Sequence, residues 1–158
     1  MVIHNPLTRL ALTITFAIST QLSAAQPLTE TDVGEFDYMI HCQGCHQADG
    51  SGTPGATPDL RSYGTALLRT VEGRQYFVRV PGSRNAPITD LQLARVLNHI
   101  IDDILADPSG QVEPLQRFDE AEVAAYRPTA IDNVDLLRAT LLQQVSTGIG
   151  LQLVSQGR

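Results

Sequence analysis

The sequence contains no lysine, only two cysteines, only two methionines and no apolar run of membrane-spanning length. Each shortage excludes something. Two cysteines cannot build a multi-bridge disulfide scaffold or a cysteine-rich zinc module. A bilayer span needs about 20 consecutive apolar residues, and no such stretch occurs. The 11 formal cations are all arginine, against 17 carboxylates, for a net charge of −6. That balance argues against a nucleic-acid footprint and for partners with positive patches. There is no internal repeat, no phosphate-cradling glycine motif and no Ser/His/Asp catalytic signature. A length of 158 residues suits one domain.

The chain opens on an export signal. Met1 to Arg9 is short, polar and positively charged, Leu10 to Ile18 is an apolar run diluted by Thr13 and Thr15, and Ser23-Ala24-Ala25 offers small residues to a signal peptidase. The run is too short for a membrane anchor. Residues 1–25 are therefore expected to be a signal peptide, with a mature chain from near Gln26 that is soluble outside the cytoplasm, in a bacterial periplasm. Losing Arg9 would make that chain one unit more acidic.

Cys42-Gln43-Gly44-Cys45-His46 carries the chemistry. Cys-x-x-Cys-His is the attachment motif for haem c, in which two thiols add across the haem vinyl groups and the adjacent imidazole binds the iron. Gly44 reduces crowding in the turn that the macrocycle approaches. A thioredoxin-like motif would need a β-α-β context, a zinc site would need more ligands, and a simple disulfide would give His46 no role.

From about Asp32 to Leu105 the chain resembles a class I c-type cytochrome. That resemblance implies an all-α fold around one covalent haem, with a helix leading into the motif, a glycine-rich loop after it, and a later helix closing against the first. Asp32 to Ile40 reads as the leading helix, capped by Thr31 or Asp32, and Gln47 to Asp59 as the loop, with Gly50, Gly52, Pro54, Gly55 and Pro58. Pro58-Asp59-Leu60 is similar to the family's Gly-Pro-x-Leu segment, with Thr57 in place of the glycine. By resemblance, the Pro58 carbonyl accepts the His46 Nδ1–H, and Leu60 packs on the haem. Helical segments are expected near Ser62–Thr70 and Gly73–Val80. Thr89 to Gln92 matches a capping box, and Leu93, Leu97, Ile100, Ile101 and Ile104 share one helical face up to Asp107-Pro108.

The chain departs from the family on the far side of the iron. No methionine follows the motif; Met39 precedes it and is expected to pack. Val80-Pro81 stands where the family has Met-Pro, and valine cannot ligate iron. Asn85, in the Pro81–Pro87 loop, is one distal candidate, as a weak ligand that yields to small molecules, or it shapes the turn. His99 is a second candidate, or a packed histidine where the last helix crosses the first. His41, beside the motif, and His4, in the leader, are not placed to serve. Six arginines lie between Arg61 and Arg95. They form a solvated surface, or some of Arg74, Arg79 and Arg84 face a haem propionate or a redox partner.

The domain is thus expected to span residues 26–105, followed by a helical extension over 106–158. Asp119 caps one short helix ending at Pro128, and Asp132 caps another through about Val145, with an apolar face of Val134, Leu137, Leu141, Leu142 and Val145. Ser146–Arg158 is glycine-containing and expected to be mobile. The extension packs on the domain or docks a partner such as a dehydrogenase subunit. Two functions follow. One is a periplasmic carrier of single electrons, not an enzyme, between a dehydrogenase or membrane complex and an acceptor. The other is a high-spin haem protein that binds NO or O2 or has minor peroxidase-like activity, or the haem subunit of a periplasmic dehydrogenase.

Overall fold

The computed structural model describes residues 29–148. The expected signal peptide, with Met1 and His4, lies outside the described residues, as does most of Ser146–Arg158. Among the described residues every element is helical apart from one isolated bridge between Thr53 and Thr57.

Helix α1 spans Glu30–His41. It starts earlier than expected, because Thr29 and Asp32 cap each other: the Asp32 N–H reaches Thr29 Oγ1 at 3.1 Å, and the Thr29 N–H reaches Asp32 Oδ2 at 2.7 Å. Asp32 is thus the partner of the cap and not the cap itself. Helix α2, Gln43–His46, is a single turn carrying most of the motif. After the loop, a 3₁₀ turn over Leu60–Ser62 leads to α3 (Gly64–Leu68) and α4 (Val71–Arg79). Pro81 then opens a short α5, Pro81–Arg84, where proline's missing N–H is no loss.

Helix α6 spans Asp90–His99 and continues as a wider π turn, Ile100–Ile104. Its expected capping box is present, with Thr89 Oγ1 accepting from the Gln92 N–H at 3.2 Å. The expected apolar stripe is the core: Leu93, Leu97, Ile100 and Ile101 are buried, and Ile104 packs against them. The helix ends at Ile104, ahead of Asp107-Pro108. Asp107 instead folds its own turn, accepting from the N–H groups of Ser109, Gln111 and Val112.

Helices α1 and α6 cross at Gly34. A Cβ there would lie 2.5 Å from the Arg95 carbonyl oxygen, so only glycine lets the two backbones approach this closely.

The extension forms α7 (Glu120–Tyr126) and α8 (Val134–Thr147). Asp119 caps α7 as expected, through the Glu122 N–H at 2.8 Å. The cap of α8 is Asn133, one residue after the expected Asp132, and accepts from the Leu136 N–H at 2.9 Å. Leu141 is buried, and Val134, Leu137, Leu142 and Val145 pack on the core beside it.

Arginines hold this extension down. Arg74 is 1% exposed, forks onto Glu122 at 2.7 and 2.6 Å, donates to the Gln116 carbonyl at 2.7 Å and stacks over Phe118. Arg79 donates to the Thr129 and Ala130 carbonyls, and Arg84 to that of Pro128. In return Arg127 donates to the Ala86 and Ile88 carbonyls and to Asp90. Asn98 and Phe118 exchange two hydrogen bonds, of 2.9 and 2.7 Å. Arg74, Arg79 and Arg84 thus all turn to the extension. They supply donors to loop carbonyls that have no secondary structure of their own to pair with.

Candidate functional site

A cavity of about 400 Å³ opens between the helices, within the size range of cofactor sites. Tyr38, Cys42, Cys45 and His46 line one side, from the end of α1 and from α2. Pro58 arrives from the loop, Leu60 from the 3₁₀ turn after it, Phe77 from α4, and Val80 from the junction of α4 with α5. Val96, Leu97 and Ile100 close it from α6, while Val134, Asp135 and Arg138 of α8 reach it from the extension.

The turn of α2 brings the motif together. The Cys45 and His46 N–H groups both donate to the Cys42 carbonyl, at 3.1 and 3.0 Å, so two thiols and an imidazole share one cavity wall. Both thiols are free. Burial pushes the Cys42 thiol up to about 11, and the nearby Asp37 and Cys45 add to the shift. Among the described residues no group of three or more His, Cys, Asp and Glu is placed to hold a metal ion by side chains alone. A Cβ at Gly44 would meet no protein atom, so the polypeptide itself does not require a glycine there.

Burial lowers the pKa of His46, and the Pro58 carbonyl partly offsets this. The ring is thereby biased to the neutral form that ligates metals. Its Nδ1 is buried without a hydrogen bond of full geometry. The Pro58 carbonyl therefore faces the imidazole and acts on it without closing a formed bond.

Gly52 sets this approach. Its φ is +70°, its N–H donates to the His46 carbonyl at 3.1 Å, and a Cβ on it would sit 2.3 Å from the Thr57 oxygen and 2.6 Å from that of Pro58. Any other residue would drive the 57–58 backbone away from the motif. Thr53 adds a second tie, its hydroxyl donating to the Cys45 carbonyl at 3.2 Å. Composition alone marked Gly52 as one loop glycine among several; its place six residues after His46 was the signal available.

Of the residues expected at the site, the structure brings Cys42, Cys45, His46, Pro58 and Leu60 together. It does not bring Asn85 or His99 to the cavity. Asn85 is exposed at the end of α5, where its Oδ1 accepts from Arg84 at 3.1 Å. His99 is buried behind the wall, its ring against Tyr38 at 5.2 Å and its Nδ1 2.9 Å from Asp103 Oδ2. Met39 does not pack as expected: it is 49% exposed, beside the similarly exposed Phe36 and Ile40. Val80 does line the cavity. Tyr63, Tyr76, Ser83 and Arg138 also line it, and sequence reasoning had assigned them nothing.

The residues present fit a covalently bound haem. Two free thiols line a largely apolar chamber together with an imidazole whose buried Nδ1 faces a carbonyl. The chain is 32% identical over 124 residues to a cytochrome c-552 of Thermus thermophilus, an alignment covering 66% of this chain and 85% of that protein. A cytochrome c-552 from Thermus thermophilus strain ATCC 27634 matches at the same identity, with 75% of its length covered. No family model matches the chain, and no solved structure matches it.

Proposed function

This chain belongs to the c-type cytochromes, and on that premise we propose that it carries single electrons through one haem bound covalently at Cys42 and Cys45. The observation that carries this reading is the wall on which both free thiols and His46 meet. When bound, the haem supplies the Fe(III)/Fe(II) couple. The rest is the work of the polypeptide. Cys42 and Cys45 would hold the haem as thioethers, each S–H adding across one vinyl group. His46 would ligate the iron through its other ring nitrogen, Nε2. Pro58 orients the ring from the Nδ1 side and raises its basicity as a ligand. Leu60, Phe77, Leu97 and Ile100 exclude water, which lowers the local dielectric.

The domain that does this spans residues 26–105, with 106–158 as its helical extension, and it acts in the periplasm after loss of residues 1–25. Among the described residues no helix is long and apolar enough to cross a membrane. The acidic chain suits a redox partner with a basic docking face, such as a dehydrogenase or a membrane electron-transfer complex.

The test is the intact mass and spectrum of protein made with haem-maturation machinery. One haem should add to the mature chain, and the Cys42→Ala/Cys45→Ala double variant should gain none. A wild-type mass equal to that of the polypeptide alone would overturn the assignment.

A second reading has its own support. Among the described residues no methionine lines the cavity, and Val80, which does, stands where the family resemblance expects a methionine. The sixth iron position would then be open, giving a lower potential and binding of NO or O2. A high-spin ferric spectrum that shifts with NO or cyanide supports this reading; a low-spin spectrum indifferent to both removes it.

A further inference from the structure

Most of the arginines between α3 and α7 are committed to carbonyls and carboxylates of the fold. Arg138 is different. Among the described residues it is the only arginine lining the cavity, and the chain has no lysine to compete for the same place. It comes from α8, on the extension, and lies against the hydroxyls of Tyr63 and Tyr76. Its one carboxylate partner is Asp135, at 2.5 Å, whose side chain is 86% exposed. Asp135 lines the cavity as well but is largely solvated, so the guanidinium contacts one exposed carboxylate and two phenol hydroxyls.

We propose that Arg138 is the carboxylate-binding cation of the haem cavity, receiving a haem propionate with Tyr63 and Tyr76 as supporting donors. The inference rests on the haem reading above. A propionate carried into an apolar chamber needs a cation and hydrogen-bond donors, or it protonates. A guanidinium offers five N–H donors in a planar fork that matches a carboxylate, so it can serve a propionate without releasing Asp135. Burial raises the Tyr63 and Tyr76 phenols above their ordinary range, which keeps both hydroxyls protonated as donors. Val134, one turn before Arg138, lines the cavity too, so α8 closes over the cofactor. The extension is then part of the redox site and not only a brace for the fold.

The consequence is electrostatic. A fixed cation beside a propionate favours the reduced iron, which carries one positive charge fewer, and holds the propionate ionised to lower pH. The other charged or titratable groups that face this region are Asp135 on α8, Tyr63 and Tyr76, Asp59 acting on Tyr63, and Tyr38, His41, His46 and the two cysteines elsewhere on the cavity lining.

The test is a potentiometric titration of the haem-loaded full chain against pH, with haem attachment read independently by intact mass. Arg138→Gln should shift the reduction equilibrium toward Fe(III) by roughly 3- to 10-fold at neutral pH. It should also move the protonation step of the potential to higher pH. Arg138→Lys should recover most of both effects. Asp135→Asn, at an exposed position, should shift both in the opposite direction, which keeps the test decisive if Arg138→Gln folds poorly. Arg79→Gln, which loosens the extension without touching the cavity, should leave the protonation step in place. Haem-loaded Arg138→Gln with unchanged potential and protonation step overturns the proposal. A wild type without haem overturns it together with the reading on which it rests.

Discussion

The crossing of α1 with α6 and the seam between the extension and the core are held by different physics. At the crossing, Gly34 lets two backbones meet, and Leu93, Leu97, Ile100 and Ile101 fill the space beneath. Shape and apolar burial do most of the holding there; the Arg95 fork onto the exposed Glu30, between the same helices, adds little, so salt or pH should matter little. At the seam, arginine side chains reach loop carbonyls one after another: Arg74 to Gln116, Arg79 to Thr129 and Ala130, Arg127 to Ala86 and Ile88. The difference teaches that a segment short of regular structure can still be fixed tightly, when its unpaired carbonyls find donors from the neighbouring helices.

The comparison can be broken at either side. The largest effect is expected at Arg74, the most buried charge of the seam. Arg74→Met leaves Glu122 and the Gln116 carbonyl without their donor, and should cost about 3 kcal/mol in denaturant unfolding. A loss no greater than that of an exposed ion pair would show that the seam does not depend on this fork.

Gly34→Ala comes next. A methyl group 2.5 Å from the Arg95 oxygen must push the helices apart, at about 1–3 kcal/mol. Thermal unfolding of the variant should show the same loss at low and high salt, whereas a salt-dependent loss would contradict the shape argument.

A smaller effect, about 1 kcal/mol, is expected for Arg79→Ala, which deletes two hydrogen bonds to carbonyls. Hydrogen exchange should quicken in α7 and α8 and stay unchanged in α1 and α6. Equal quickening throughout would mean that seam and crossing unfold as one unit.

The smallest effect concerns the linker. Three backbone N–H groups and the Ser109 hydroxyl converge on Asp107 and hold its carboxyl at about 2, below the usual 3.8. A depressed acid contributes its stability above the unfolded value and loses it as pH falls through the folded one. The 107–112 turn should therefore loosen between roughly pH 4 and pH 2, visible as faster local exchange. Asp107→Asn should abolish that pH dependence; its persistence would assign the loosening to another carboxylate.

Much of the crossing was legible before folding. The Thr89–Gln92 box and the Leu93–Ile104 stripe are local patterns, and both appear in α6 as expected. The Cys42–Cys45–His46 cluster was legible because the turn that unites it closes within five residues. The surroundings of Asn85 and His99 were not. Asn85 was offered from its place in a loop, yet α5 turns it outward, and His99 turns to Asp103 and Tyr38. Nor was the seam, because an arginine bound to a carbonyl about 50 residues away leaves no periodic trace in the chain.

Contacts within a turn or two of helix are dictated by neighbouring residues, so helix type, the thiol–thiol–imidazole spacing and the apolar face of α6 were already written in the order of amino acids. Which glycines must be glycine, which arginines brace the extension and which one turns into the cavity were decided only when distant segments met. Those roles depend on what lies within a few ångströms in space, and a guanidinium or a missing Cβ reads the same along the chain whatever it comes to touch.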